Sequence, residues 1–247
     1  LGFHPKKLKE TMEKKIIFDT GPIISLTMNN LLWIIEPLKK QYNGEFIITS
    51  GVYSELVEKP LSTKKYKFEA LQILPFITQK IIQISKSKEI YTKANELLEL
   101  ANRCFMAHEN WIKIVHIAEM EALAEAINTN ADAIVIDERT TRTLIESPNL
   151  LKIILERKLH TKIKVNETNL TKLKQEIGSL LVIRSFELVA MAFELGLLDR
   201  YMQKEEKEIL PNLERTVLEG VLWAVKLNGC SVKREDIYTL IKMELGK

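Results

Sequence analysis

Two apolar runs that each end on an aspartate constrain this chain more than any other feature. Lys15-Ile16-Ile17-Phe18 runs into Asp19-Thr20-Gly21-Pro22, and the run from Ala131 to Ile136 ends at Asp137. β-branched and aromatic stretches closed by turn residues read as strands. A third run, Glu45-Phe46-Ile47-Ile48-Thr49, feeds Ser50-Gly51-Val52-Tyr53-Ser54-Glu55-Leu56-Val57, with Thr49 or Ser50 as a natural helix N-cap. Ile117, Met120, Leu123, Ala124 and Ile127 then recur at the helical period. Strands that alternate with helices imply a parallel sheet covered on both faces, because parallel strands need crossover connections. The expected fold is α/β, a three-layer sandwich around a central parallel sheet.

Further elements fill in the pattern. A Lys-rich helix is expected over residues 60–75, a strand over 80–84, a helix over 86–104, and a closing strand over 162–165 near Asn166. Residues 12–166 then form the α/β domain and residues 167–247 a helical C-terminal region with three or four helices and a breaker at Pro211. The stretch 180–198 is apolar nearly all round, which makes it either the heart of that region or a partner surface.

Composition bounds the function. With 36 Lys+Arg against 33 Asp+Glu the net charge is only +3, so affinity for nucleic acid has to come from a local basic face. Cys104 and Cys230 are isolated and read as small core residues; their spacing gives no zinc or disulfide signal and suits a reducing, cytoplasmic setting. Arg184, Glu187 and Glu194 interrupt the longest apolar run, so no membrane span is expected. Residues 1–13 lack the apolar core of a secretory signal; Met12 is a natural start, with residues 1–11 a leader or added sequence.

Four acids fall at element boundaries: Asp19 and Asp137 at strand ends, Glu55 in a helix after a strand, and Glu119 at a helix start. Ligand chemistry in parallel α/β sheets sits at the carboxyl ends of the strands. Singly, each acid has a plain alternative: Asp19 as a turn cap, Glu119 as a first-turn acid facing the helix dipole, Glu55 as a solvated side chain, Asp137 as a turn residue. Converging carboxylates raise each other's pKa, and a hard cation removes that conflict. Oxygen ligands without His or Cys favour Mg²⁺ or Mn²⁺. Such ions serve phosphodiester hydrolysis, singly or as a pair roughly 4 Å apart.

In order, Ile-Ile-Phe-Asp-Thr-Gly-Pro-Ile-Ile, Ile-Thr-Ser-Gly-Val-Tyr-Ser-Glu-Leu, Ala-Glu-Met-Glu-Ala-Leu-Ala-Glu-Ala and Ala-Asp-Ala-Ile-Val-Ile-Asp-Glu-Arg-Thr-Thr-Arg resemble the motifs of PIN-domain nucleases. The resemblance covers residues 15–166 and includes the eighteen-residue interval from Glu119 to Asp137. It looks closest to the branch whose third motif carries Glu-x-Glu-Ala. The resemblance implies Asp19, Glu55, Glu119 and Asp137 as catalytic acids, with Asp19, Glu119 and Asp137 binding Mg²⁺ or Mn²⁺ and Thr20 orienting the first acid. It also implies cleavage of single-stranded or structured RNA. Ile117-Ala118 stands where that branch has a Gly before its Glu, so Glu121 competes with Glu119 for the role. The two point about 200° apart on a helix and cannot both face one ion without a kink or a helix start between them. Glu138 is a further alternate beside Asp137.

Arg139 and Arg142, three apart after Asp137, are placed to hold an RNA phosphate or to pair with Glu138 or Glu146. Lys64, Lys65 and Lys67 form a second basic group, and Lys152, Arg157, Lys158, His160, Lys162 and Lys164 a third. Trp33, Trp111 and Trp223 read as core residues, and His116 as structural. No P-loop, nucleophile elbow or dinucleotide fingerprint occurs. The sequence thus points to a cytoplasmic metal-dependent endoribonuclease, toxin-like if an antitoxin is encoded beside it. The alternative is a PIN-like scaffold that engages RNA, a protein or its own copy through the C-terminal helices.

Overall fold

Alternate residues of the central strands face opposite ways and both faces are apolar, so helices cover the sheet on each side. The computed structural model describes residues 14–85, 89–203 and 208–246. The segment 1–13, with Met12 as a start, and Lys86 as a first helical residue lie outside the described residues. The sheet has the order β3-β2-β1-β6-β8 and all its pairings are parallel. Its strands are β1 (Lys15–Phe18), β2 (Glu45–Ile48), β3 (Gln83–Ile84), β6 (Ala133–Val135) and β8 (Leu181–Ile183).

Ile16, Phe18, Phe46, Ile48, Ala133 and Val135 enter one core cluster. There they meet α1 (Thr20–Met28), α2 (Ile35–Tyr42), α3 (Ser50–Tyr53), α5 (Lys67–Thr78), α11 (Ser185–Glu194), α12 (Leu213–Leu227) and α13 (Arg234–Leu245). Ile17, Ile47 and Ile134 enter the other cluster. It is built on α6 (Glu89–Ala101), α7 (Ile117–Asn128), α8 (Arg139–Glu146), α9 (Pro148–Leu159) and α10 (Glu167–Ile177). The architecture is the expected α/β sandwich with C-terminal helices.

Three expectations change. The stretch 180–198 is a strand followed by a helix: β8 extends the sheet by pairing with β6, so the sheet takes its last strand from beyond residue 166. The strand expected over 162–165 is β7 (Lys164–Val165), and it joins a separate antiparallel sheet with β4 (Phe105–Ala107) and β5 (Asn110–Trp111). Two residues of ladder carry too little pattern to declare a partner. The Lys-rich helix over 60–75 divides into α4 (Lys59–Ser62) and α5, with Tyr66 between them in the left-handed region at φ 61°.

Among the described residues no helix is long and apolar enough to cross a membrane.

Leu218 and Leu222 on α12 and Ile237 on α13 share a cluster with the strands, so the C-terminal helices and the sheet form one core. Leu222→Ala is expected to destabilise the whole chain by about 3 kcal/mol, the usual cost of a buried Leu→Ala cavity. Urea unfolding followed by circular dichroism checks it. A separate early transition for the helices would contradict a shared core.

Candidate active site

Because the central strands are parallel, β1, β2, β6 and β8 all end at one edge. Asp19 follows β1 and donates its N–H to the Val135 carbonyl at 3.0 Å, which fixes it against β6. It is the N-cap of α1, yet its side chain makes no cap hydrogen bond. Its carboxyl is 6% exposed and is pushed up to about 7. Burial is the largest cause, Glu119 and Glu55 add repulsion, and the Thr20 and Gly21 amides offset part of it.

Glu55 lies in a π-helical segment, Ser54–Glu58. Single-turn π segments inside helices recur at functional sites. The Thr20 hydroxyl donates to Glu55 Oε2 at 2.7 Å, and Lys59 Nζ lies 3.8 Å from Oε1. Thr20 thus meets both acids, its hydroxyl on Glu55 and its amide on Asp19.

Glu119 is the third residue of α7, and its Oε2 accepts from the His116 N–H and from the Thr141 hydroxyl, both at 3.0 Å. Burial raises its pKa, and the neighbouring Glu138 adds to that. Glu121 reaches the same edge after β2: its Oε2 accepts from the Gly51 N–H at 3.1 Å, at the start of α3. An ideal Cβ at Gly51 would come within 2.2 Å of that oxygen, so this approach needs glycine. Of the two competitors, Glu119 is the one that acts on Asp19 electrostatically.

Asp137 ends the β6 segment and is buried. Its Oδ1 accepts from the Ser185 N–H at 2.8 Å and its Oδ2 from the Ser185 hydroxyl at 2.7 Å, so it caps α11. Burial raises its pKa against these two bonds and the Cys230 thiol. Asp19 and Asp137 flank Gly21, whose ideal Cβ would lie 3.9 Å from Asp19 Oδ2 and 3.5 Å from Asp137 Cβ. Glu138 N-caps α8 by accepting from the Thr141 N–H at 2.7 Å.

Arg139 is exposed. Arg142 Nη2 donates to the Ser231 carbonyl at 3.1 Å, and its Nη1 lies 4.0 Å from Glu146, so it ties α8 to the C-terminal region. Trp33 and Trp223 pack against the core, but Trp111 is 43% exposed on the short β5, a correction to its reading as a core residue. Cys104 and Cys230 are buried and their thiols are pushed up to about 11 and about 12, which keeps them protonated at neutral pH.

Sequence reasoning missed Thr141, Ser185 and Ser231. Thr141 stands in the quoted fourth motif, and its two hydrogen bonds join Glu138 to Glu119. Ser185 follows β8, and a strand recognised there would have placed it at the same edge.

The donor set suits a hard divalent cation: Asp19, Glu55 and Glu119 are carboxylates that raise the pKa of the most buried among them. Among the described residues, however, no group of three or more His, Cys, Asp or Glu side chains is closed to metal-holding distance. Ser185 occupies both oxygens of Asp137, and Gly51 engages Glu121.

Fold and site together define an α/β protein whose covered parallel sheet carries a group of acids at its strand ends. A family model described as a PIN domain matches residues 15–181, more than half of the chain, and the chain belongs to the PIN-domain family. PIN domains are in general nucleases and typically use divalent metals. No curated protein and no solved structure matches the chain.

A carboxyl whose folded pKa lies above its unfolded value binds its proton more tightly when folded. Stability from Asp19 is then greatest below its ordinary 3.8 and is lost as pH rises to about 7. Above pH 7 without metal, Asp19→Asn is expected to be more stable than the parent by about 2–4 kcal/mol. The difference should shrink toward zero near pH 4. Urea titrations of both proteins across that range check it; a constant difference would refute the assignment.

Proposed function

We propose that this chain is a metal-dependent endoribonuclease that hydrolyses RNA phosphodiester bonds at the strand-end acids, with Mg²⁺ or Mn²⁺ as its cation. It would belong to the branch whose third motif is Glu-x-Glu-Ala. The observation that carries this reading is Asp19, a buried carboxylate at a parallel-strand end, raised to about 7 with Glu119 and Glu55 acting on it. Asp19 and Glu119 would hold the cation, joined by Asp137, with Glu55 at the rim. The cation, when bound, supplies a water nucleophile near neutral pH and stabilises charge on the phosphoryl oxygens.

The chain's own residues do the rest. Thr20 and Lys59 restrain Glu55, and Thr141 with the His116 amide restrains Glu119, so neither acid loses much side-chain entropy when it takes up a ligand. Asp19, half protonated near neutral pH, releases its proton when a cation replaces it. Arg139 adds positive charge beside the acids for the RNA backbone, and a cytoplasmic setting fits this use.

One observation favours a second reading, a PIN-like module that binds RNA or a protein partner without cleaving. The acids are not closed into a three-ligand cluster, and Asp137 is spent on Ser185. In that case the C-terminal helices would carry the contact to a partner or second copy. A toxin role would require an antitoxin encoded beside the chain.

Asp19→Asn is expected to lower Mn²⁺-dependent cleavage of an end-labelled single-stranded RNA by about 100-fold or more. Losing an interaction worth several kcal/mol has that effect at 1.36 kcal/mol per tenfold. Gel analysis of cleavage with isothermal calorimetry of Mn²⁺ binding decides between the readings. Heat of binding with no cleavage supports the module, and cleavage unchanged in Asp19→Asn refutes the nuclease.

A further inference from the structure

A cleft lined by acids repels a polyanion, so an RNA strand held there needs compensating cations close by. The pocket that meets this need opens between α8 and the α12–α13 connection and has a volume of about 460 Å³. It touches the acidic edge directly, because the Ser231 N–H donates to the Asp137 carbonyl at 3.1 Å. Arg139 and Arg142 enter it from α8, Arg184 from the end of β8, and Lys233 from the N-terminus of α13.

The four cations differ in how far they are spent. Glu187 holds Arg184 in a two-pronged contact, so that charge is balanced and serves as wall. Arg142 gives one nitrogen to the Ser231 carbonyl and stands 4.0 Å from Glu146, while its buried Nε has no partner. Arg139 and Lys233 are exposed and make no ion pair among the described residues. Two acids share the pocket, Glu146 and Asp236. Asp236 is partly used in accepting from the Lys233 N–H at 3.3 Å, and the start of α13 adds the positive end of its dipole.

We propose that this pocket is a phosphate subsite for the RNA strand, formed jointly by Arg139 of the matched PIN region and Lys233 of the C-terminal region, beside the scissile position. The identity of the polyanion rests on the nuclease reading above. No aromatic side chain lines the pocket, so it offers no platform for a base. Its contribution is affinity and register along the backbone, without sequence preference. The C-terminal helices thereby become part of the substrate surface.

The test uses the full chain carrying Asp19→Asn, chosen to suppress turnover, and a fluorescein-labelled single-stranded RNA 12-mer read by anisotropy from low to high salt. Lys233→Ala and Arg139→Ala, both at exposed side chains, are each expected to weaken binding several-fold. Each should also lower the slope of log affinity against log salt by about 0.7, the value for one phosphate contact to a single strand. Lys242→Ala, an exposed change on α13 away from the pocket, controls for net charge.

A loss in Lys233→Ala and Arg139→Ala but not in Lys242→Ala supports the subsite. Equal losses in all three, or none, overturn the subsite while leaving the nuclease reading intact when the parent chain cleaves RNA. A parent chain that binds no RNA overturns both.

Discussion

The pairing of β1 between β2 and β6 is the constraint on which the rest of the molecule depends. A strand paired on both sides has no free backbone polar groups. Once helices cover both faces, only apolar side chains are tolerated along its length. Ile16, Ile17 and Phe18 meet that condition and divide between the two cores. The first place a carboxylate is tolerated is where the ladder ends, and Asp19 stands there, still tied to β6 by its own N–H. Parallel pairing repeats the circumstance at Asp137 and brings both acids to one edge. The acidic cleft follows from strand direction as much as from the acids themselves.

The features legible in the sequence share one property: their signal is local. β1, β2 and β6 are short runs closed by turn residues, and α7 shows its period over twelve residues. What was not legible depends on tertiary partners. β8 is an edge strand of three residues inside an apolar stretch that also supplies α11, and the boundary between them is marked by a single break at Arg184-Ser185, where the Arg184 N–H meets Glu187. β7 is legible as a strand but not its place in a second sheet beside β4, because a two-residue ladder states no partner. The helical period showed that Glu119 and Glu121 diverge. Which of them turns toward Asp19 depended on where α3 begins, since the Gly51 amide claims Glu121. Trp111 was misplaced for a similar reason, since β5 is too short to be covered.

Asp137 connects the site to the C-terminal helices, and this alters what those helices are for. Phe186, Val189, Leu218 and Leu222 complete the core on one face of the sheet, so their first role is to remove apolar strand surface from water. Yet the same segment places Ser185 on the carboxylate of Asp137 and Ser231 on its carbonyl, and accepts Arg142 from α8. Packing and site geometry are therefore coupled through the chain beyond residue 181, where the match to the family ends.

The incomplete closure of the acids has an electrostatic rationale. Two carboxylates about 4 Å apart at an effective dielectric of 20 repel by about 4 kcal/mol, while a hydrogen bond to a charged group contributes about 1.5–3 kcal/mol. The two bonds from Ser185 are thus comparable with the repulsion Asp137 would meet in facing Asp19 without a cation, and they stabilise its charge in a buried place. On the proposed function, Asp19, Glu119 and Asp137 would hold a divalent cation, whose charge would offset the repulsion among them. Ser185 thus holds Asp137 at the edge and offsets part of the burial that raises its pKa. The raised pKa of Asp19 has a different origin: burial first, then the charges of Glu119 and Glu55, which the Thr20 and Gly21 amides only partly offset.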